Sequence, residues 1–227
     1  MVFMPLQSLP NWIQCIVFVL ALNAGTINVL ALITVIHQSV SHMTGNISML
    51  AIDLVKWQPH TMLYLFLIVI SFLMGSFCSG FILGNTPLSF HRRYGLTLNL
   101  VALLLVLTWL TVRYDPHLGL LWSSMAMGVQ NAMMSHYKGA IIRTTHLSGV
   151  LTDLGLSLGY KAKGLPVDRR RVILHLLIVL GFFLGGVIAT IAYSHWLMNT
   201  FLLPALLTVL LSAVYWFLSY EHLKRHS

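Results

Sequence analysis

Three features of this 227-residue chain predict an all-α, polytopic membrane fold. The composition is 58% hydrophobic and only 8% charged, with a mean hydropathy of +0.85. Six apolar stretches are long enough to cross a bilayer, and a polar, glycine-bearing motif occurs twice between them. A soluble domain of this length could not hide so much apolar surface. The chain is therefore read as one integral membrane domain, 1–227, containing tandem repeats at 12–112 and 118–220.

The first crossing is Trp12–Ile36, about 37 Å as a helix, which exceeds the ~30 Å of a hydrocarbon core. Its Cys15, like Cys78 in the next crossing, sits in an apolar run without any zinc or disulfide spacing. No Lys or Arg precedes this crossing and no small-residue cleavage pattern follows Val29–Ile36, so it reads as retained rather than as a signal peptide. A short helical segment follows at Thr44–Leu54, then crossings at Met62–Leu83 and Gly95–Val112. The second half runs Leu118–Met134, a short segment Ser148–Leu158, then Val172–Tyr193 and Trp196–Leu218. Gly159 to Arg171 is the longest polar stretch and reads as a loop. Each short segment reaches only about 16 Å, half a bilayer.

Charge selects between topologies. If both short segments return to the side they came from, one face collects eleven cations: Arg92, Arg93, Lys138, Arg143 and the seven from Lys161 to Arg225. The other face keeps Lys56 and Arg113. Were both segments to cross, the split would be nine to four. The positive-inside rule favours six crossings with both termini cytoplasmic. Three crossings per repeat is an odd number, so the halves would be inverted about an axis in the membrane plane. The net charge of +8 reads as the same loop bias, facing an anionic leaflet, and not as a nucleic-acid footprint.

Ser41-His42-Met43-Thr44-Gly45-Asn46-Ile47 returns as Thr145-His146-Leu147-Ser148-Gly149-Val150-Leu151 at an offset of 104. Gly25-Thr26-Ile27-Asn28 corresponds to Gly128-Val129-Gln130-Asn131 at an offset of 103. Ser71, Gly75 and Ser79 correspond to Gly181, Gly185 and Ala189 at an offset of 110. The expected solute contacts are Asn28, His42, Thr44, Gly45, Asn46, Gln130, Asn131, His146, Ser148 and Gly149. Hydroxyls and glycines suit a helix that starts inside a membrane, where a side chain caps free N–H groups and a ligand approaches closely. Two such starts facing a shared midplane favour an anionic or electron-rich solute; the plainer alternative is capping of short packed helices.

Asp153 is the expected proton-coupling group, because an acid at membrane depth is costly unless it functions; the alternative is an ion-pair partner for Arg143 or His146. Asp53 is expected to form a solvated pair with Lys56. His42 and His146 are candidate proton relays or solute contacts, or else structural rings bonded to freed carbonyls. Asn23, Asn28, Gln130 and Asn131 either line the repeat interface or bond across helices, and the small-residue stripes are expected to pack helices closely.

Ala24-Gly25-Thr26-Ile27-Asn28, Ser41 to Asn46, Ala126 to Asn131 and Arg143 to Leu154 together resemble the YoaK family of bacterial inner-membrane proteins, from about Ala21 to the last crossing. The family often carries an acid where Asn28 stands, and usually Thr-Gly where this chain has Ser148-Gly149. The resemblance implies a bacterial inner membrane and supplies no substrate.

The leading expectation is a proton-coupled secondary transporter or permease for a small polar or anionic solute, and the alternative is a channel with re-entrant half-helices. No Walker-type phosphate loop is present. An intramembrane enzyme is a third reading, since His146-Leu147-Ser148-Gly149 is weakly similar to the Gly-x-Ser-Gly of rhomboid proteases, but only His175 and His195 follow on the last two crossings. Two histidines without a second pair give little support for a haem or metal carrier. No enzyme activity, cofactor, metal or nucleic acid is expected. The expected partners are a small solute and the lipid bilayer, with self-association left open.

Overall fold

The computed structural model describes residues 11–34, 37–84, 92–134 and 144–224. Among them are eight α-helices: α1 (Asn11–Thr34), α2 (Met43–Val55), α3 (Pro59–Leu83), α4 (Arg92–Thr111), α5 (Pro116–Met134), α6 (Leu147–Ala162), α7 (Arg169–Trp196) and α8 (Leu202–Lys224). A 3₁₀ turn, Leu197–Phe201, joins the last two. Four helical stretches are long and apolar enough to cross a membrane: Trp12–Thr34, Pro59–Leu83, Arg92–Thr111 and Arg169–Tyr220, the last folded in two after Trp196, where Leu197 takes a φ of 47°.

Helix α5 occupies the fourth expected crossing but is less apolar than those four. Its Ser123, Ser124, Gln130 and Asn131 are all buried. Other helices stand between it and the surroundings, so its polar side chains find partners inside the protein.

The helices pair at points where backbones touch. Helices α1 and α7 run parallel, with Gly181 on Phe18, Gly185 on Leu22 and Gly186 on Val29. A β-carbon on Gly185 would stand 2.0 Å from the Leu22 carbonyl oxygen, and one on Gly25 would stand 2.0 Å from that of Phe182. Helices α3 and α5 are also parallel. Gly75 lies on the Met125 carbonyl at 2.0 Å by the same measure, and Gly128 on that of Phe72 at 2.1 Å. Ser124 Oγ donates to the Ile68 carbonyl at 2.8 Å in the same groove. Both small-residue stripes thus bring helices together, as expected. Helix α4 packs against α5 and α8; Gly95 faces the Trp216 ring, and Asn99 Oδ1 accepts from Ser212 Oγ and Trp216 Nε1.

Two apolar clusters fix the helix directions. One joins Ile13 and Val17 of α1 to Leu83 of α3, Tyr94 of α4, Met133 of α5, Leu174 of α7 and Tyr215 of α8. The other joins Ile27 and Leu30 of α1 to Val112, which follows α4, and to Leu120 of α5, Ala189 of α7 and Ala205 of α8. The starts of α1, α4 and α7 therefore share one end of the bundle with the finishes of α3, α5 and α8.

The short helices end in similar ways. After α6, Gly164 takes a φ of 72° while Leu165 N–H reaches back to the Tyr160 carbonyl at 2.9 Å. After α2, Trp57 takes a φ of 53° while Gln58 N–H reaches the Asp53 carbonyl at 3.0 Å. Both are left-handed helix stops, a conformation that costs Trp57 its Cβ sterics and costs Gly164 nothing. The expected loop Gly159–Arg171 is mostly helical instead. Helix α6 continues to Ala162, and Arg169 already opens α7 under the Asp168 cap, so residues 163–168 alone are the non-helical part. Lys138, Arg143 and Arg225 lie outside the described residues.

Candidate functional site

Two hydrogen-bonded brackets hold the chain that leads into the short helices. On α1, buried Asn28 accepts from Ser39 Oγ and, at 2.9 Å, from Ser41 Oγ. Ser39 Oγ accepts from the His42 N–H at 2.9 Å, and the Ser39 carbonyl accepts from Asn46 Nδ2 at 2.7 Å. On α5, Asn131 donates to Thr145 Oγ1 at 2.6 Å. Gln130 donates to Thr144 Oγ1 at 3.1 Å and to the Leu20 carbonyl at 3.0 Å. Asn23 completes this second bracket by donating to Gln130 Oε1 at 3.3 Å and to Thr208 Oγ1 at 3.1 Å. Every amide and hydroxyl named here except Ser39 is buried, so the brackets act inside the protein, where such bonds are not shared with water.

Each bracket ends at a histidine. His42 and His146 are the N-caps of α2 and α6, and neither helix start receives a side-chain cap hydrogen bond. Thr44 and Ser148, expected as caps, sit instead in the first helical turn with exposed side chains, because the histidines occupy the cap positions. The Gly45 N–H donates to the His42 carbonyl at 3.1 Å and the Leu147 N–H to that of Thr145 at 3.0 Å, while no side chain caps the other N–H groups of the two first turns. His42 lies edge-on to Phe182, ring centroids 5.8 Å apart, at the middle of the 28-residue α7. His146 lies within electrostatic range of His42, so the starts of α2 and α6 stand in the same part of the molecule without packing on each other. The His146 ring folds over Gly149, where a β-carbon would stand 2.4 Å from Nδ1; Gly45 meets nothing within 4 Å.

Of the expected contacts, His42, Thr44, Gly45, His146, Ser148 and Gly149 thus belong to the two helix starts. Asn28, Asn46, Gln130 and Asn131 serve as the brackets behind them. Sequence reasoning passed over Ser39, Thr144, Thr208 and Phe182. The pairing of Ser41 with Thr145 across the repeated motif was the available sign of a required hydroxyl.

Asp153 stands apart from these helix starts. Its carboxylate pairs with Arg171 Nη2 at 2.8 Å and lies 3.6 Å from His175 Nε2, both on α7. The expected partner His146 is not among them: Asp153 points along α6 toward the first turn of α7, away from the helix start. Arg143, the other expected partner, lies outside the described residues. Asp53 is buried rather than solvated and forms no ion pair with Lys56, which is exposed at the end of α2. A cavity of about 340 Å³ lies among apolar side chains at one end of the bundle, between Trp12, Tyr94, Met133 and Tyr215, and holds none of the expected solute contacts.

No curated protein and no solved structure matches this chain. The family model described as "Protein of unknown function (DUF1275)" matches residues 16–214, which is most of the length. With the same motifs on α1, α2, α5 and α6 inside that span, the chain belongs to the DUF1275 family.

Proposed function

We propose that this protein is a secondary transporter, or permease, for a small polar or anionic solute, bound where α2 and α6 begin. The observation that carries this reading is a matched pair of helix starts without side-chain caps, at His42 beside the middle of α7 and at His146, each held by a buried bracket from α1 or α5. First-turn N–H groups without side-chain caps and two positive dipole ends form a setting that attracts negative charge or lone pairs. Imidazoles add donors or acceptors according to their protonation.

In this reading α2 and α6 are half-helices that run from the bilayer midplane to opposite faces, and α1, α3, α4, α5, α7 and α8 are six crossings. The alternating helix directions support it, as do the matched contacts of two inverted halves. Gly25 on Phe182 mirrors Gly128 on Phe72, and Asn28–Ser41 mirrors Asn131–Thr145. The end of the bundle that carries Arg92, Lys161, Arg169 and Lys224 is taken as cytoplasmic, together with both termini. The membrane is the bacterial inner membrane and the family type is YoaK-like. Asp153, with Arg171 and His175, is the proposed coupling group.

A channel is the second reading. It is favoured by the brackets, which tie both helix starts to α1 and α5 as a fixed constriction would require. The deciding experiment begins with a thermal-shift screen of the purified protein against small metabolites, since a bound ligand raises apparent stability. A hit is then followed in vesicles carrying a pH gradient. Saturable accumulation driven by the gradient supports the carrier, and passive equilibration supports the channel. A wild-type thermal response to the hit in a His42→Ala, His146→Ala double variant would remove the solute site from this position.

A further inference from the structure

The hairpin between α6 and α7 concentrates positive charge. Lys161, Lys163, Arg169 and Arg170 fall within ten residues, and all four are exposed. Both nearby acids are engaged elsewhere, although Asp168 is itself exposed. Asp168 Oδ1 caps α7 by accepting from the Arg170 N–H at 3.0 Å, and Asp153 holds Arg171. None of the four cations meets a carboxylate within ion-pair distance among the described residues. Beside them α6 exposes apolar side chains on two sides. Leu151 and Leu158 are exposed on one side of the helix and Leu156 and Tyr160 on the other, and α7 is the one close helical neighbour of α6 among the described elements. Cations at the end of a helix with exposed leucines on both flanks match the two parts of a phospholipid, an anionic headgroup and its pair of acyl chains.

We propose that the α6–α7 hairpin is a binding site for an anionic phospholipid, whose phosphodiester is held by Lys161, Lys163, Arg169 and Arg170 while its chains lie along the α6 leucines. The site rests on the membrane reading above but not on any solute. The Asp153–Arg171 pair leaves the remaining cations facing outward and joins the lipid-bearing helix to α7. Lipid bound here would hold α6 in place from the outside, as the Asn131–Thr145 bond does from the inside.

The test is native mass spectrometry of the full-length protein released from mixed micelles holding equal amounts of phosphatidylglycerol and phosphatidylcholine with identical chains. The wild type should retain the anionic lipid preferentially, and that preference should fall roughly 10–30-fold in K161Q/K163Q, at about one charge's attraction per residue. The control K56Q/R113Q, with the same charge loss at the other end of the bundle, should keep the preference. Equal retention of both lipids by the wild type would overturn the proposal while leaving the membrane reading intact. So would an equal loss in the control, or displacement of phosphatidylglycerol by excess inorganic phosphate. Retention of neither lipid would overturn the membrane reading as well.

Discussion

Gly25 rests its Cα face on the carbonyl oxygen of Phe182, so closely that a β-carbon would come within 2.0 Å of it. The same contact recurs at Gly75 on Met125, Gly128 on Phe72 and Gly185 on Leu22. In each case the obstacle is backbone, which cannot rotate out of the way. Alanine at any of the four should therefore separate a helix pair and destabilise the protein by about 1–3 kcal/mol. Gly45→Ala should do the reverse, gaining about 0.5–1 kcal/mol of helix preference, because nothing lies within 4 Å. Thermal melts of the five variants in one detergent check the contrast. A stable Gly128→Ala would mean that α3 and α5 do not meet as described.

The buried amides offer a second check. Gln130 links α5 to α1 through the Leu20 carbonyl and Asn23, and to the chain before α6 through Thr144. Gln130→Leu removes all three links. It should cost about 0.6–2 kcal/mol, the range for interhelical polar contacts in membranes. Asn23→Leu should cost a similar amount, and the double variant less than the sum, because the two share a bond. Strict additivity in denaturant or thermal unfolding would argue that the bond contributes nothing.

What the sequence made legible follows from which forces are local. Apolar runs long enough for a helix declared α1, α3, α4, α7 and α8, and Gly45 and Gly149 marked the two helix starts. The pairing of Asp153 was hidden because Arg171 and His175 come 18 and 22 residues later and are delivered by a hairpin stop at Gly164. Asp53 was misjudged for a related reason. Proximity to Lys56 in sequence suggested a solvated pair, whereas the α2–α3 turn buries the carboxylate and leaves the lysine outside. Helix α5 was legible as a helix, but only its packing reveals why it tolerates Gln130 and Asn131.

The arrangement of faces gives a third prediction. Single cysteines at Lys56 and Arg113, in a background lacking Cys15 and Cys78, should react with an impermeant reagent from one side of oriented vesicles. Cysteines at Arg92 and Lys163 should react only from the other. This follows from the alternation of helix directions set by the two apolar clusters. Labelling of Lys56 and Arg92 positions from a common side would undo the six-crossing arrangement and the half-helix reading with it.

The last prediction separates stability from coupling at Asp153. The pair with Arg171 is about one-third exposed on both sides, with side-chain exposures of 37% and 34%. A pair this open contributes little to folding, so Asp153→Asn should shift stability by less than about 1 kcal/mol. If the carboxylate carries the coupling proton, the same variant should bind the solute found by screening yet lose accumulation driven by a pH gradient. Arg171→Gln frees the carboxylate from its cation without removing it, so gradient-driven flux should persist there with an altered pH profile. Wild-type accumulation in Asp153→Asn would dismiss the coupling role while leaving the proposed solute site standing, because that proposal rests on His42 at the start of α2 and His146 at the far end of α6.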